Sequence, residues 1–202
     1  MILSTFMEQL GLQKPLLAIQ GDIFDTPADH IAFAVHWPNT NGHYNNDDGG
    51  FSSLVAKYGW NDLGTIRFEK GVPVSKKIRG KYFHALPVHT PEVGGWDEAP
   101  KLIEDCLNRL EVPSTEVITT VLIGGGNAGQ KYKASVSNIE GMIRSYKTVV
   151  LCVFQDWMFD LLVSAGVVAE ATPKGLSLAK LPKVVKYGDY FEERLRKKLV
   201  EN

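Results

Sequence analysis

"VLIGGGNAGQKY", residues 121–132, carries an apolar run into three consecutive glycines and out through Asn-Ala-Gly toward a helical pattern. Glycines at a strand-to-helix junction let the backbone approach a diphosphate, and the N–H groups of the following helix bind its charge. The spacing Gly124-x-Gly126-x-x-Gly129 also matches the dinucleotide-binding fingerprint. Local sequence does not separate a nicotinamide or flavin site from another diphosphate site, but position in the chain does. A Rossmann unit opens its domain, and an acidic residue about 20 positions later grips a ribose. Here that span falls inside the apolar "VVLCV", and the next acid is Asp156. Too little chain follows Gly129 to complete a doubly wound domain. A small flavin- or nicotinamide-binding protein stays only as a third reading.

Outward from the glycines, strand-like and helical patterns alternate. "LLAIQGDIF" and "IAFAVHW" are short apolar runs of strand character, followed by a polar loop, "PNTNGHYNNDDGG". "FSSLVAKYGW" spaces Phe51, Leu54, Val55 and Tyr58 as a helix, with Gly59 as its stop. "TIRFEKG" and "KYFHALPV" read as strands, and "VPVSKKIRG" between them stays open. "WDEAPKLIEDCLNRLEV" reads as a helix capped by Asp97, with Pro100 in its first turn and Leu102, Ile103, Cys106, Leu107 and Leu110 on one face. "EVITT" is a strand feeding the glycines. "ASVSNIEGMIRS" is a helix with Val136, Ile139, Met142 and Ile143 inward, and "TVVLCVF" is a strand buried on both faces. Such alternation implies a sheet covered by helices. Residues 155–202 differ: a short helix candidate, "DWMFDLLVSAG", an irregular basic stretch and a charged terminal helix.

Composition narrows the class. The 202 residues are 44% hydrophobic and 22% charged with a formal net charge of −1, which suits one ordinary globular α/β domain with an appendage. No global charge favours nucleic acid, and no apolar run approaches the ~20 residues that span a bilayer. The first residues lack a basic region and carry Glu8 within the apolar stretch, so no signal peptide is expected. Cys106 and Cys152 lie in apolar settings and read as buried free thiols, which suits the cytoplasm.

The ordered set "LLAIQGDIFDTPADHIAFAVH", "DDGGFSSLVAKYGW", "FHALPVHT" and "VLIGGGNAGQKYKASVSNIEGMI" resembles the macro domain family. That resemblance covers roughly residues 14 to 154. It implies a three-layer α/β/α fold around a mixed, largely parallel sheet, with residues 1–154 as the domain and 155–202 as a helical extension packed on it. It also implies a site for ADP-ribose or a derivative, free or on an ADP-ribosylated protein. By position, Asp22 matches the carboxylate that accepts from the adenine amino group, and Ile23 the adjacent backbone contact. Gly49, Gly50 and Phe51 match the first diphosphate loop. Gly124, Gly125, Gly126, Asn127, Ala128 and Gly129 match the second.

Asp22 could also simply cap the turn after its strand, but within the ordered set adenine recognition is the favoured reading. His36 and Asn39 are nearest in register to the family's residue at the distal ribose, and His89 falls where its strand ends near the ligand, whereas His84 reads as structural. The branch resembled contains terminal ADP-ribose glycohydrolases and ADP-ribose 1″-phosphate phosphatases. The glycohydrolases use a Lys in the stretch matching "PVHT" and an Asp where Ala128 stands, so that covalent chemistry is not expected here. Removal of a 1″-phosphate, with water activated near His36, is the enzymatic expectation, and a module that binds without turnover is the alternative. No cofactor or metal is expected: the spacing of His36, His43 and the Asp pair fits no zinc or calcium pattern. Neither a membrane nor a nucleic acid is an expected partner.

Overall fold

A computed structural model describes residues 16–26, 28–37, 51–90, 95–124, 132–156, 159–160, 162 and 168–170. The strands are β1 (Leu16–Gln20), β2 (His30–His36), β3 (Val74–Ile78), β4 (Lys81–His89), β5 (Val117–Thr120), β6 (Thr148–Val153) and β7 (Val168–Glu170). The helices are α1 (Phe51–Tyr58), α2 (Ala99–Arg109) and α3 (Tyr132–Arg144), with short 3-10 turns at Ile23–Asp25 and Leu63–Thr65. One sheet in the order β3-β4-β2-β5-β6-β1-β7 carries the seven strands found among the described residues. Every pairing is parallel except β3 with β4.

Strand alternation divides the core between the two sheet faces. Ile19, Ile31, Phe33, Val35, Phe83 and Ala85 meet Val55 and Ala56 of α1 on one side. Ala18, Ala32, Leu86, Val88, Ile118 and Leu151 meet Ile103, Cys106 and Leu107 of α2 and Ile139 and Met142 of α3 on the other. Side chains successive along a strand point to opposite faces, so strands apolar throughout can feed both layers. The result is an α/β/α sandwich around a mixed, largely parallel sheet, as the resemblance implied.

Two helices pack by close approach. A Cβ on Gly141 in α3 would lie 2.0 Å from the Pro100 carbonyl oxygen of α2. Only a residue without a side chain permits this crossing. Gly59 ends α1 with φ +147, donating to Val55 O at 3.2 Å, so the expected stop is observed.

Local details depart from expectation. "TIRFEKG" is not a strand; after the Leu63–Thr65 turn the chain runs irregularly to a turn in which Val72 N bonds Glu69 O. The outer edge of β4 is instead taken by β3, because Arg79 (φ 50) and Gly80 (φ 87) make a two-residue hairpin turn. Two successive positive φ values match the twist of the paired strands. Asp97 does not cap α2. Glu98 holds that position with helical backbone (φ −92, ψ −4) and no side-chain cap bond. Pro100 does fall in the first turn. Beyond residue 154, β7 pairs with β1, so the sheet continues into the stretch set apart as an extension. Asp156, Phe159, Asp160 and Leu162 are helical.

Candidate functional site

The two central neighbours β2 and β5 send the chain in opposite directions. From β2 it passes through α1 on one face toward β3 and β4; from β5 it passes through α3 on the other face to β6. Strand order therefore reverses between them, which marks a candidate crevice beyond their carboxyl ends. In open α/β sheets ligands bind at such a point. Both glycine stretches border it in the chain: Gly49 and Gly50 immediately precede α1, and Gly124 to Gly129 lie between β5 and α3.

At the end of β1, the Asp22 carboxylate accepts from Phe24 N at 2.9 Å through Oδ1 and caps the Ile23–Asp25 turn. The turn-forming reading of Asp22 is thus observed. Among the described residues nothing bonds its Oδ2. Ile23 is buried, and its carbonyl accepts from Thr26 Oγ1 at 2.9 Å. Phe24 extends toward α1, stacking on Phe51 at 5.4 Å and on Tyr58 at 4.8 Å between centroids. Such pairs contribute about 0.5–1.5 kcal/mol beyond burial, so they hold the Asp22 turn and the start of α1 together.

Phe51 is the first residue of α1, where backbone N–H groups have no partner within the helix. Ser52 Oγ donates to Ala34 O at 3.1 Å and ties this end to β2. Opposite, Gly124 turns with φ +84, and Asn138 of α3 donates to Ile123 O at 3.0 Å. Neither tie was foreseen. Ser52 and Asn138 carry no motif, because a side-chain bond to a distant carbonyl leaves no local pattern.

His36 ends β2 beside a register shift at Val35/His36 and stands opposite His89. Their rings meet edge to face at 4.1 Å, and His89 stacks on Trp96 at 3.8 Å. Trp37 N donates to His89 O at 3.0 Å. The structure thus brings His36 and His89 together at the crevice end of the sheet. His84, by contrast, lies buried toward the other end of β4. Asn39, Gly49, Gly50, Gly125, Gly126, Asn127, Ala128 and Gly129 lie outside the described residues, as does His43.

Both cysteines are free and buried. Burial pushes the Cys106 thiol up to about 12. It raises that of Cys152 further, with the nearby Asp22 charge adding to the effect. Burial disfavours the thiolate at both positions. Among the described residues no group of three His, Cys, Asp or Glu side chains is arranged to hold a metal, and no helix is long and apolar enough to cross a membrane.

No family model matches the chain, and no curated protein matches it. Among solved structures, a Trypanosoma brucei macrodomain in complex with ADP superposes with a TM-score of 0.50 at 13% identity, over 79% of this chain and 71% of that one. The chain has the macrodomain fold. The alphavirus P23pro-zbd structure superposes at 0.53 with 14% identity, over 79% of this chain, which spans only 25% of that much longer one. An Oceanobacillus iheyensis macrodomain with ADP gives 0.49 at 15% identity over 76% of this chain and 91% of its own. The described sheet and its three helices match that fold.

Proposed function

We propose that this protein binds ADP-ribose or a close derivative in the crevice beyond β2 and β5. The observation that carries the reading is the reversal of strand order there, which sends the chain into two helices on opposite faces. Their N-termini can neutralise a diphosphate without Lys or Arg. In this reading Oδ2 of Asp22 accepts from the adenine amino group while Oδ1 keeps its bond to Phe24 N. The backbone at Ile23 lies beside the adenine. Gly49, Gly50, Phe51 and the stretch from Gly124 through Gly129 surround the phosphates. The solved Trypanosoma brucei neighbour holds ADP, which has the same adenosine diphosphate portion.

The distal ribose then lies toward the end of β2. His36 with its partner His89, and Asn39 in the following segment, are the groups for activating water against a 1″-linked phosphate, with loop N–H groups stabilising the developing charge. The test is calorimetry with ADP-ribose, AMP and NAD, run beside phosphate release from ADP-ribose 1″-phosphate. ADP-ribose should bind best, and the phosphate should be released at a rate that falls in His36→Ala. Tight binding without release would reduce the proposal to a binding module. NAD binding more tightly than ADP-ribose would overturn it.

A further inference from the structure

At the opposite end of the sheet, four side chains from neighbouring strands form one hydrogen-bonded line. Glu116, just before β5, lies 2.6 Å through Oε2 from His30 Nε2 at the start of β2. His30 Nδ1 lies 3.0 Å from His84 Nε2 in β4, and His84 Nδ1 lies 2.7 Å from Ser75 Oγ in β3. Register makes the line: Ser75 stands opposite His84, and His30 opposite Tyr82, one alternation away on the same face. The histidines are buried, whereas Ser75 is exposed and the Glu116 side chain is 43% exposed. Tyr82 stacks nearly parallel on His30 at 5.0 Å and holds the ring in plane with its neighbour.

Hydrogen-bond accounting sets every proton. An ionised carboxylate only accepts, so His30 presents Nε2–H to Glu116. Neutral His30 then accepts at Nδ1, so His84 donates from Nε2. The remaining acceptor, His84 Nδ1, faces the Ser75 hydroxyl. With both rings neutral and Glu116 ionised, this is the single set of tautomers that satisfies all three contacts. Burial first, and His30 second, push the His84 pKa down to about 4, which keeps that ring an acceptor at neutral pH.

We infer that Ser75 is a nucleophilic serine, with His84 as its base and His30 and Glu116 as positioning residues, and that this site takes acyl groups from small carboxylic esters. An exposed hydroxyl on an edge strand meets small, unhindered electrophiles. Ser75 Oγ attacks the ester carbonyl carbon as its proton passes to His84 Nδ1. The Nε2 proton of His84 moves to His30 Nδ1, and the Nε2 proton of His30 moves to Glu116. No net charge remains on a buried ring, and the surface carboxylate ends as the acid. Collapse of the adduct breaks the bond to the leaving oxygen, which takes a proton from His84 Nδ1 as the line reverts. Water repeats the sequence on the acyl-serine, releasing the carboxylic acid and restoring the hydroxyl. Lys77, next along the same face with Nζ 4.8 Å from the Tyr82 ring centroid, is the cation this face offers to the oxyanion. The site is separate from the crevice, since β2 runs from His30 to His36 and a strand of that length spans about 20 Å.

The experiment treats the whole chain with a fluorophosphonate probe, maps the adduct by mass spectrometry, and follows the acylation burst with p-nitrophenyl acetate. Ser75 should be labelled at least tenfold faster than exposed Ser114, and Ser75→Ala should lose both label and burst. Glu116→Gln, at the surface, should lower the burst rate several-fold with an unchanged KM and melting temperature, and Glu116→Asp should restore part of it. Labelling of Ser75 no faster than Ser114, or a burst insensitive to Glu116→Gln, would overturn the inference.

Discussion

The two ends of the sheet are built from different materials. At the carboxyl ends of β2 and β5 the candidate crevice is, among the described residues, a matter of backbone: helix starts at α1 and α3, a turn capped by Asp22, and the turn at Gly124. At the other end, the line from Glu116 to Ser75 is made of side chains from β3, β4, β2 and the residue before β5. The first kind of site follows from where the chain turns, so it is written in contiguous residues. The second follows from register, so its members are spread from Ser75 to Glu116 with His30 far upstream. A backbone site tolerates a change of side chain and suffers from an added Cβ. A side-chain line tolerates neither a lost nitrogen nor an added proton.

The most severe change should abolish the comparison by damaging both ends together. Gly141→Leu places side-chain atoms where a Cβ alone would lie 2.0 Å from Pro100 O, so α2 and α3 must separate. A loss of about 3 kcal/mol or more is expected, read as a lower urea midpoint together with lost ADP-ribose binding.

Next in size, acid should act on the side-chain end. Folded His84 has its pKa lowered to about 4 from an ordinary 6.5. Between those values the unfolded chain binds more protons than the folded one. The contribution is therefore fully present above about pH 6.5 and is lost as the pH falls toward 4. Full development of the shift corresponds to about 3 kcal/mol. Chemical denaturation at pH 7 and pH 4.5 should show that fall, and the slope should flatten in a folded His84→Gln variant. An equal slope in that variant would show that other groups carry it.

The crevice end should respond more in affinity than in stability. Asp22→Ala removes the turn cap, at about 1 kcal/mol of stability, and the acceptor proposed for adenine, at about 2 kcal/mol of ADP-ribose affinity. Melting and calorimetry on the same variant separate the two roles. Lost stability with intact affinity would leave Asp22 as a cap alone. The smallest effect expected is that of Ser52→Ala, which deletes the bond to Ala34 O and should cost about 1 kcal/mol of stability, with labelling at Ser75 unchanged.

Much of the fold was legible because periodicity reports burial. The apolar runs of β2 and β6 and the inward stripe of α2 were read from contiguous residues, and Gly59 marked a helix end by its backbone freedom. Where reading failed, the competing cause was tertiary. "TIRFEKG" has strand composition, but β4 had a nearer partner through the Arg79–Gly80 hairpin. Asp97 suited a cap, but the turn at residues 95–98 carried the chain into α2 without one. His84 reads as structural in the sequence and lies buried in β4, but nothing in "FHALPV" announces that its ring joins His30 on one side and Ser75 on the other. At the crevice, Asp22, Phe51 and Gly124 could be singled out from sequence, while the ties made by Ser52 and Asn138 could not.

What the amino-acid sequence determined by itself is β1, β2, β4, β5 and β6, the three helices, their order, and the two glycine stretches next to helix starts. Each rests on interactions among residues near in the chain: alternation, helical spacing, backbone freedom. Tertiary structure alone decided that β2 and β5 are neighbours, so that the chain leaves them in opposite directions and marks out the candidate crevice. It alone decided that His30, His84, Ser75 and Glu116 share one face in register. Both outcomes depend on which strands pair and by how many residues they are offset, and a one-residue slip would turn every one of those side chains to the other face. Pairing is settled by the packing of the whole sheet between its helix layers, and no local stretch of sequence contains it.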